Sequence, residues 1–155
     1  MKEAVYTAVT RRIGRPLSDP LEIIRETGDP MMAVAAGLAE GYSGTLLLAG
    51  GTQMLAVAAI IKACGGKLPD VVTTVYVRDD KAASCDKTAG DIGVPITYVD
   101  PGFGAIGHSG LVRYCIGEVK EGMGCGGAMM LGALLGHSPD EITGAIISFV
   151  SGYSP

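Results

Sequence analysis

The sequence predicts an α/β fold: a mainly parallel, helix-covered sheet, followed by a last third that is mostly helical. Three observations carry that expectation. Short apolar or β-branched runs at positions 45–49, 71–77 and 95–99 are bounded by Gly, Pro or Asp, as buried strands are. Segments with helix start and stop signals lie between them, so right-handed crossovers would join parallel strands. Glycine makes up 24 of 155 residues, against a usual share of about 7%, which suits tight turns and close backbone approaches.

The elements follow in order. Asp19-Pro20-Leu21-Glu22 reads as a capping box with proline in the first turn, and Gly28 ends the short helix it starts. Asp29-Pro30 opens a second helix, with Met32, Ala35, Ala36, Leu38 and Ala39 on its apolar face up to Gly41. After the run 45–49, Gly50-Gly51 leads to Thr52, placed to cap a helix through Ile61 that is apolar on every side. The β-branched run 71–77 is the clearest strand. A polar helix over 84–92 precedes the third strand. Ser109 is placed to cap a helix containing Val112 and Tyr114, and an apolar helix spans 128–135. Ser138-Pro139-Asp140-Glu141 forms a capping box before Ile142, Ala145, Ile146 and Phe149, spaced i, i+3, i+4, i+7. No repeat or linker divides positions 1–155, which read as a single α/β domain.

Composition removes several function classes. The chain is 48% hydrophobic and 18% charged, so disorder is excluded. A pI near 5.1 without a Lys or Arg run argues against nucleic acid and against an anionic membrane surface. The uncharged stretches 41–61 and 122–139 are interrupted by glycines and polar residues, so they read as buried elements rather than membrane spans. Cys64, Cys85, Cys115 and Cys125 show no metal-ligand spacing, and His108 and His137 are far apart in sequence. No metal or cofactor is expected. Reduced cysteines and the lack of a secretory leader suit a cytoplasmic protein.

Two glycine segments could carry chemistry. The corner Leu48-Ala49-Gly50-Gly51-Thr52 joins a parallel strand to a helix, where free N–H groups attract phosphate or carboxylate. A tight turn capped by Thr52 accounts for it equally well. Gly122, Gly124 and Gly127 satisfy G-x-G-x-x-G, but the strand and the acid that a dinucleotide site needs are not in place around them. Glu121 opens this segment in an otherwise uncharged neighbourhood. Loss of hydration there would raise its pKa toward that of a general base, whereas a solvated Glu121 beside Lys120 would be unremarkable chemically. His108 and His137 precede helix starts and read as structural. Ser109 lacks a relay for nucleophilic catalysis. Arg78-Asp79-Asp80-Lys81 reads as a ligand-contacting loop or as a solvated turn.

Three blocks together carry a resemblance: Asp19-Pro20-Leu21-Glu22 with Gly28-Asp29-Pro30-Met31; Leu47-Leu48-Ala49-Gly50-Gly51-Thr52-Gln53-Met54-Leu55-Ala56; and Glu118-Val119-Lys120-Glu121-Gly122-Met123-Gly124-Cys125-Gly126-Gly127-Ala128. Over positions 15–135 the chain resembles the nicotinate-nucleotide–dimethylbenzimidazole phosphoribosyltransferase family, especially its archaeal and cyanobacterial branch. The resemblance implies a Rossmann-like three-layer α/β/α fold. It also implies transfer of ribose phosphate from nicotinate mononucleotide to a benzimidazole-type base, releasing nicotinate, in making the cobamide lower ligand. Glu121 takes the place of the family's proton-accepting Glu, with Lys120 where bacterial members have glycine. Gly50, Gly51, Thr52, Lys120, Gly122, Gly124 and Gly126 are the implied substrate-binding residues.

Members of that family are about twice this long, and their bacterial phosphate loop lies upstream of the matched blocks. The resemblance therefore makes this chain the C-terminal portion of such an enzyme, expected to expose apolar surface and to form a homo-oligomer or pair with a missing N-terminal half. The alternative is a non-catalytic nucleotide-binding module or partner subunit on the same fold.

Overall fold

The computed structural model, which describes residues 2–118 and 124–153, opens with a helix that the sequence patterns do not announce, α1 (Lys2–Ile13). It meets the next segment where the Arg12 guanidinium donates to the Glu26 carbonyl. Helices α2 (Pro20–Thr27) and α3 (Pro30–Gly41) begin as anticipated. The Asp19 carboxylate accepts from the Leu21 and Glu22 amides, and that of Asp29 from Met31 and Met32. Proline fits each first turn because it lacks only an amide that would have gone unpaired. Glu22 does not close a capping box; its carboxylate binds the Arg15 and Arg25 guanidinium groups instead.

The strands are β1 (Leu47–Ala49), β2 (Asp70–Thr74) and β3 (Ile96–Val99), in the order β1-β2-β3 and all parallel. Helix α4 (Thr52–Ala63) links the first two; α5 (Val75–Asp79) and α6 (Cys85–Ile92) lie between the second and third. The sheet is therefore smaller than the sequence runs suggest. In particular, the run 71–77 changes conformation at Thr74, and Val75-Tyr76-Val77 turn helical despite their β propensity. Tertiary packing overrides propensity at that point: Val77 is buried in the core, and Tyr76 turns onto an aromatic cluster.

Register divides the sheet into two faces. Leu48, Val71 and Ile96 are paired across one face, as are Thr73 and Tyr98. That face meets the main core, in which Leu55, Val57, Ala58 and Ile61 of α4 are fully buried beside Cys85, Ala89 and Val94. Each buried aliphatic side chain contributes about 1.5–3 kcal/mol, which makes α4 the principal anchor of the fold. Its Ala56 and Gln53 stay exposed, so the apolar helix is covered on most sides rather than all. Ala49, Val72 and Thr97, with Thr74 and Val99, form the opposite face.

The remaining helices are α7 (Phe103–Ile106), α8 (Ser109–Cys115), α9 (Cys125–Leu134) and α10 (Pro139–Ser151). Helix α9 packs on all three strands. Its start lies against the Ala49–Thr74 face, where Gly127 abuts Ala49. At α10 the Ser138 hydroxyl accepts from the Glu141 amide and the Glu141 carboxylate accepts from the Ser138 amide, the anticipated capping box. Yet no residue of α10 is buried, although its apolar spacing predicts a covered stripe. Among the described residues, no helix is long and apolar enough to cross a membrane.

Candidate functional site at the carboxyl rim of the sheet

The carboxyl ends of β1 and β2 bring the two glycine segments together. Beyond β1, the Gly50 amide donates to the Val72 carbonyl at 3.0 Å, carrying the ladder one residue past the strand. Gly50 and Gly51 are buried, and Gly51 is the residue before the first turn of α4. Thr52 is the first residue of the helix and makes no side-chain cap, so the corner leaves helix amides without a side-chain partner from Gly51 or Thr52. The anticipated Thr52 cap is absent because the helix starts at Thr52 itself, one residue earlier than such a cap requires, which leaves Gly51 at the cap position.

The second segment reaches the same corner through missing side chains. A Cβ on Gly126 would lie 2.4 Å from the Thr73 carbonyl oxygen, and one on Gly127 would lie 2.4 Å from Ala49 Cβ. At Gly124 the corresponding distance to the Ala49 carbonyl oxygen is 3.5 Å, an ordinary contact. Glycine at 126 and 127 therefore allows the start of α9 to sit on the strand ends, an approach no other residue type permits. These two glycines and Gly50-Gly51 share one rim, although they are far apart in sequence.

A polar and aromatic cluster borders the rim. Thr74 Oγ1 and Tyr114 Oη lie 3.1 Å apart in a buried hydrogen bond, and Tyr114 Oη is 3.9 Å from Cys125 Sγ. The Tyr76 ring meets that of Tyr114 edge-on with centroids 5.5 Å apart, and Phe103 meets Tyr114 likewise at 5.6 Å. Burial, with the Cys115 thiol and Asp100 nearby, pushes the Tyr76 hydroxyl up to about 12. Burial also pushes Tyr114 up to about 12, against a lowering by its Thr74 hydrogen bond. The Cys125 thiol is raised by burial as well. At neutral pH these three groups are uncharged, so they add no negative field at the rim. The sequence reading missed this cluster. Its signal was the scarcity of aromatic residues, 5% of the chain, of which three collect at one place.

The other singled-out residues stand apart from this cluster. Arg78 pairs with Asp79 at 2.9 Å, and its guanidinium lies 5.9 Å from the Tyr98 ring centre. Arg78 and Asp79 are the exposed last residues of α5, Asp80 at its C-cap is half-buried, and Lys81 is exposed. Ser109 begins α8 without capping it, and His108 stands at the cap position with both ring nitrogens buried and unpartnered. His137 is exposed. Among the described residues, no group of three or more His, Cys, Asp or Glu is placed to hold a metal. Lys120, Glu121 and Gly122 lie outside the described residues; the flanking residues Glu118 and Gly124 lie within them.

No protein-family model matches the chain. Curated relatives do. The chain is similar to archaeal UPF0284 proteins. With that of Methanosarcina mazei it is 46% identical over 129 residues, which cover 79% of this chain and 37% of the relative. With that of Thermococcus gammatolerans it is 41% identical over 149 residues, 92% of this chain and 45% of the relative. The Pyrococcus furiosus protein is 47% identical over 124 residues, 79% and 38% respectively. The chain spans less than half the length of each of these UPF0284 proteins, and their names state no reaction.

Proposed function

We propose that this chain is part of a phosphoribosyltransferase that moves the ribose phosphate of nicotinate mononucleotide onto a benzimidazole-type base. In this reading the fold is a Rossmann-like three-layer α/β/α arrangement, and helices packed against a parallel sheet support it. One observation carries the functional reading furthest: Gly50-Gly51 and the start of α9 meet at the carboxyl ends of the strands. Ligands of parallel α/β sheets collect at that rim, and Glu121 lies a few residues before α9 in sequence.

The chemistry asks for one proton acceptor. A ring nitrogen of the base attacks the ribose anomeric carbon as the bond from that carbon to the nicotinate nitrogen breaks. Nicotinate leaves with the bonding pair, and its ring nitrogen becomes neutral. The proton on the base's other nitrogen passes to the Glu121 carboxylate, so no positive charge builds on the product ring. Gly50, Gly51 and Thr52 offer the α4 amide end to an anionic group of the substrate. Gly122 and Gly124 are the glycines proposed to give the substrate close backbone approach beside it, Gly126 takes part by seating the start of α9 against Thr73, and Lys120 adds a cation for the phosphate or carboxylate.

The test is to incubate the chain, and separately the Thermococcus gammatolerans relative, with nicotinate mononucleotide and dimethylbenzimidazole and to follow nicotinate release. Release by the relative that falls about 10²- to 10⁴-fold when the residue aligned with Glu121 is changed to Gln supports the reading. No release by either protein refutes it. The chain's short span favours a second reading, a nucleotide-binding module without turnover. Binding of nicotinate mononucleotide by the chain, with no release by the relative, would select that module.

A further inference from the structure

Helix α10 has an apolar stripe but no buried residue. Its Phe149 is 67% exposed, Tyr153 two residues beyond the helix is 65% exposed, and the two rings lie 5.0 Å apart. Helix α9, which meets α10 where Ile142 packs at Gly132, leaves Leu131 and Leu134 exposed, as is Leu135 at its C-cap, at i, i+3 and i+4. Leu134 and Leu135 are 69% and 71% exposed. Three exposed leucines at the end of α9, and separately the aromatic pair of Phe149 in α10 with Tyr153 just beyond it, are unpartnered apolar surface of the kind that marks an interaction site.

What covers it follows from length. The matched stretch is 37% to 45% of the Methanosarcina and Thermococcus relatives, so more than half of each lies outside it. That remaining polypeptide is tethered to the matched stretch, so it meets this surface at an effective concentration of the order of millimolar. A second copy must instead meet the full cost of bimolecular association. We infer that the exposed leucines at the end of α9, with Phe149 of α10 and Tyr153 just beyond it, are the seat of the polypeptide that UPF0284 proteins carry outside the stretch matched here. The occupant presents an apolar helical or strand face. This inference is independent of the transferase reading, and its test involves no turnover.

The experiment compares thiol labelling by a charged maleimide, resolved peptide by peptide. Leu134→Cys and Leu131→Cys are made in this chain and at the aligned positions of the Thermococcus gammatolerans relative. A match covering 92% of this chain necessarily includes α9. Lys87→Cys, on an exposed site, sets the free rate in both proteins. The expected result is labelling of both leucine positions at nearly the free rate in this chain. In the relative, both should be slower by about 100-fold, as for side chains reached only through opening. Free-rate labelling in a folded relative overturns the inference. So does protection in this chain that disappears on dilution, which would make the occupant a second copy. Hydroxyl-radical footprinting of the unsubstituted proteins reads the same surface without disturbing the fold, and equal oxidation in both would overturn the inference as well.

Discussion

Gly126→Ala should destabilise the chain, whereas Gly37→Ala should not, and the difference follows from where each missing Cβ would go. At position 126 the new atom would lie 2.4 Å from the Thr73 oxygen and 2.5 Å from the Thr73 carbonyl carbon. Both are backbone atoms of the central strand, so neither can turn aside. An ordinary contact of 3.4 Å requires the start of α9 to withdraw by 1.0 Å, the difference between 3.4 and 2.4. Withdrawal on that scale forfeits a quarter to a half of each dispersion contact across the gap, and overpacking of this kind costs about 1–3 kcal/mol. It also pulls Cys125 away from Tyr114. Gly37 lies in α3 with nothing within 4 Å of its Cβ position. Alanine there removes unfolded-state freedom and should stabilise by about 0.4–1 kcal/mol. Urea unfolding with an unchanged slope measures both. If Gly126→Ala moves the midpoint no further than Gly37→Ala, or in the same direction, then α9 is not seated on the strand ends and the shared rim is lost with it.

Three further outcomes follow from the same structure. Tyr114→Phe keeps the ring contacts but leaves Thr74 Oγ1 without its partner, and should cost about 1–3 kcal/mol in the same urea assay. Because burial holds Tyr76 and Tyr114 up at about 12 in the fold, against about 10 when unfolded, both are neutral below that window. Their contribution is complete there and is lost as pH rises through it, so the alkaline loss of stability should be shallower in Tyr114→Phe. Ser138→Ala removes the α10 cap and should cost about 1 kcal/mol, read by helix content on heating. Glu141, held below the ordinary carboxylate range by the Ser138 amide and hydroxyl, supports the cap above its unfolded pKa. It loses that role as pH falls through the folded value, so Glu141→Gln should flatten the acid side of the melting curve.

What the sequence made legible was chiefly local. Asp19, Asp29 and Ser138 cap the helices they precede because a short polar side chain before proline has few other uses. The strands were placed but overestimated: Val75, Tyr76 and Val77 have the composition of a strand, and only packing against Val94, Phe103 and Tyr114 turns them helical. Contacts distant in sequence were not legible at all. Nothing in Gly126 or Gly127 says that one meets Thr73 and the other Ala49, since a glycine is equally suited to a turn, a ligand or a neighbouring backbone. The glycine segment has the pattern of a ligand loop, yet its described part serves to seat a helix. α1 is not legible because it has no clear apolar stripe and no capping signal before it.

Lys120 offers the sharpest test of the proposed proton acceptor, because the resemblance puts a glycine at that place in bacterial enzymes. An ammonium near a carboxylate favours the ionised form and lowers its pKa. Charges about 7 Å apart interact by about 0.6 kcal/mol in water and about twice that at half the dielectric, or about 0.4 to 0.9 of a pH unit. Lys120→Gly in a turnover-competent protein should therefore raise the acid limb of the kcat/KM profile by that amount. At a pH below the limb the rate should fall several-fold; well above it the substitution should matter only through substrate binding. The neutral tyrosines and thiol at the rim cannot counterfeit this shift, because they change charge only at alkaline pH. An acid limb that stays put, or moves down, would mean that the ionisation controlling the rate belongs to a group other than Glu121.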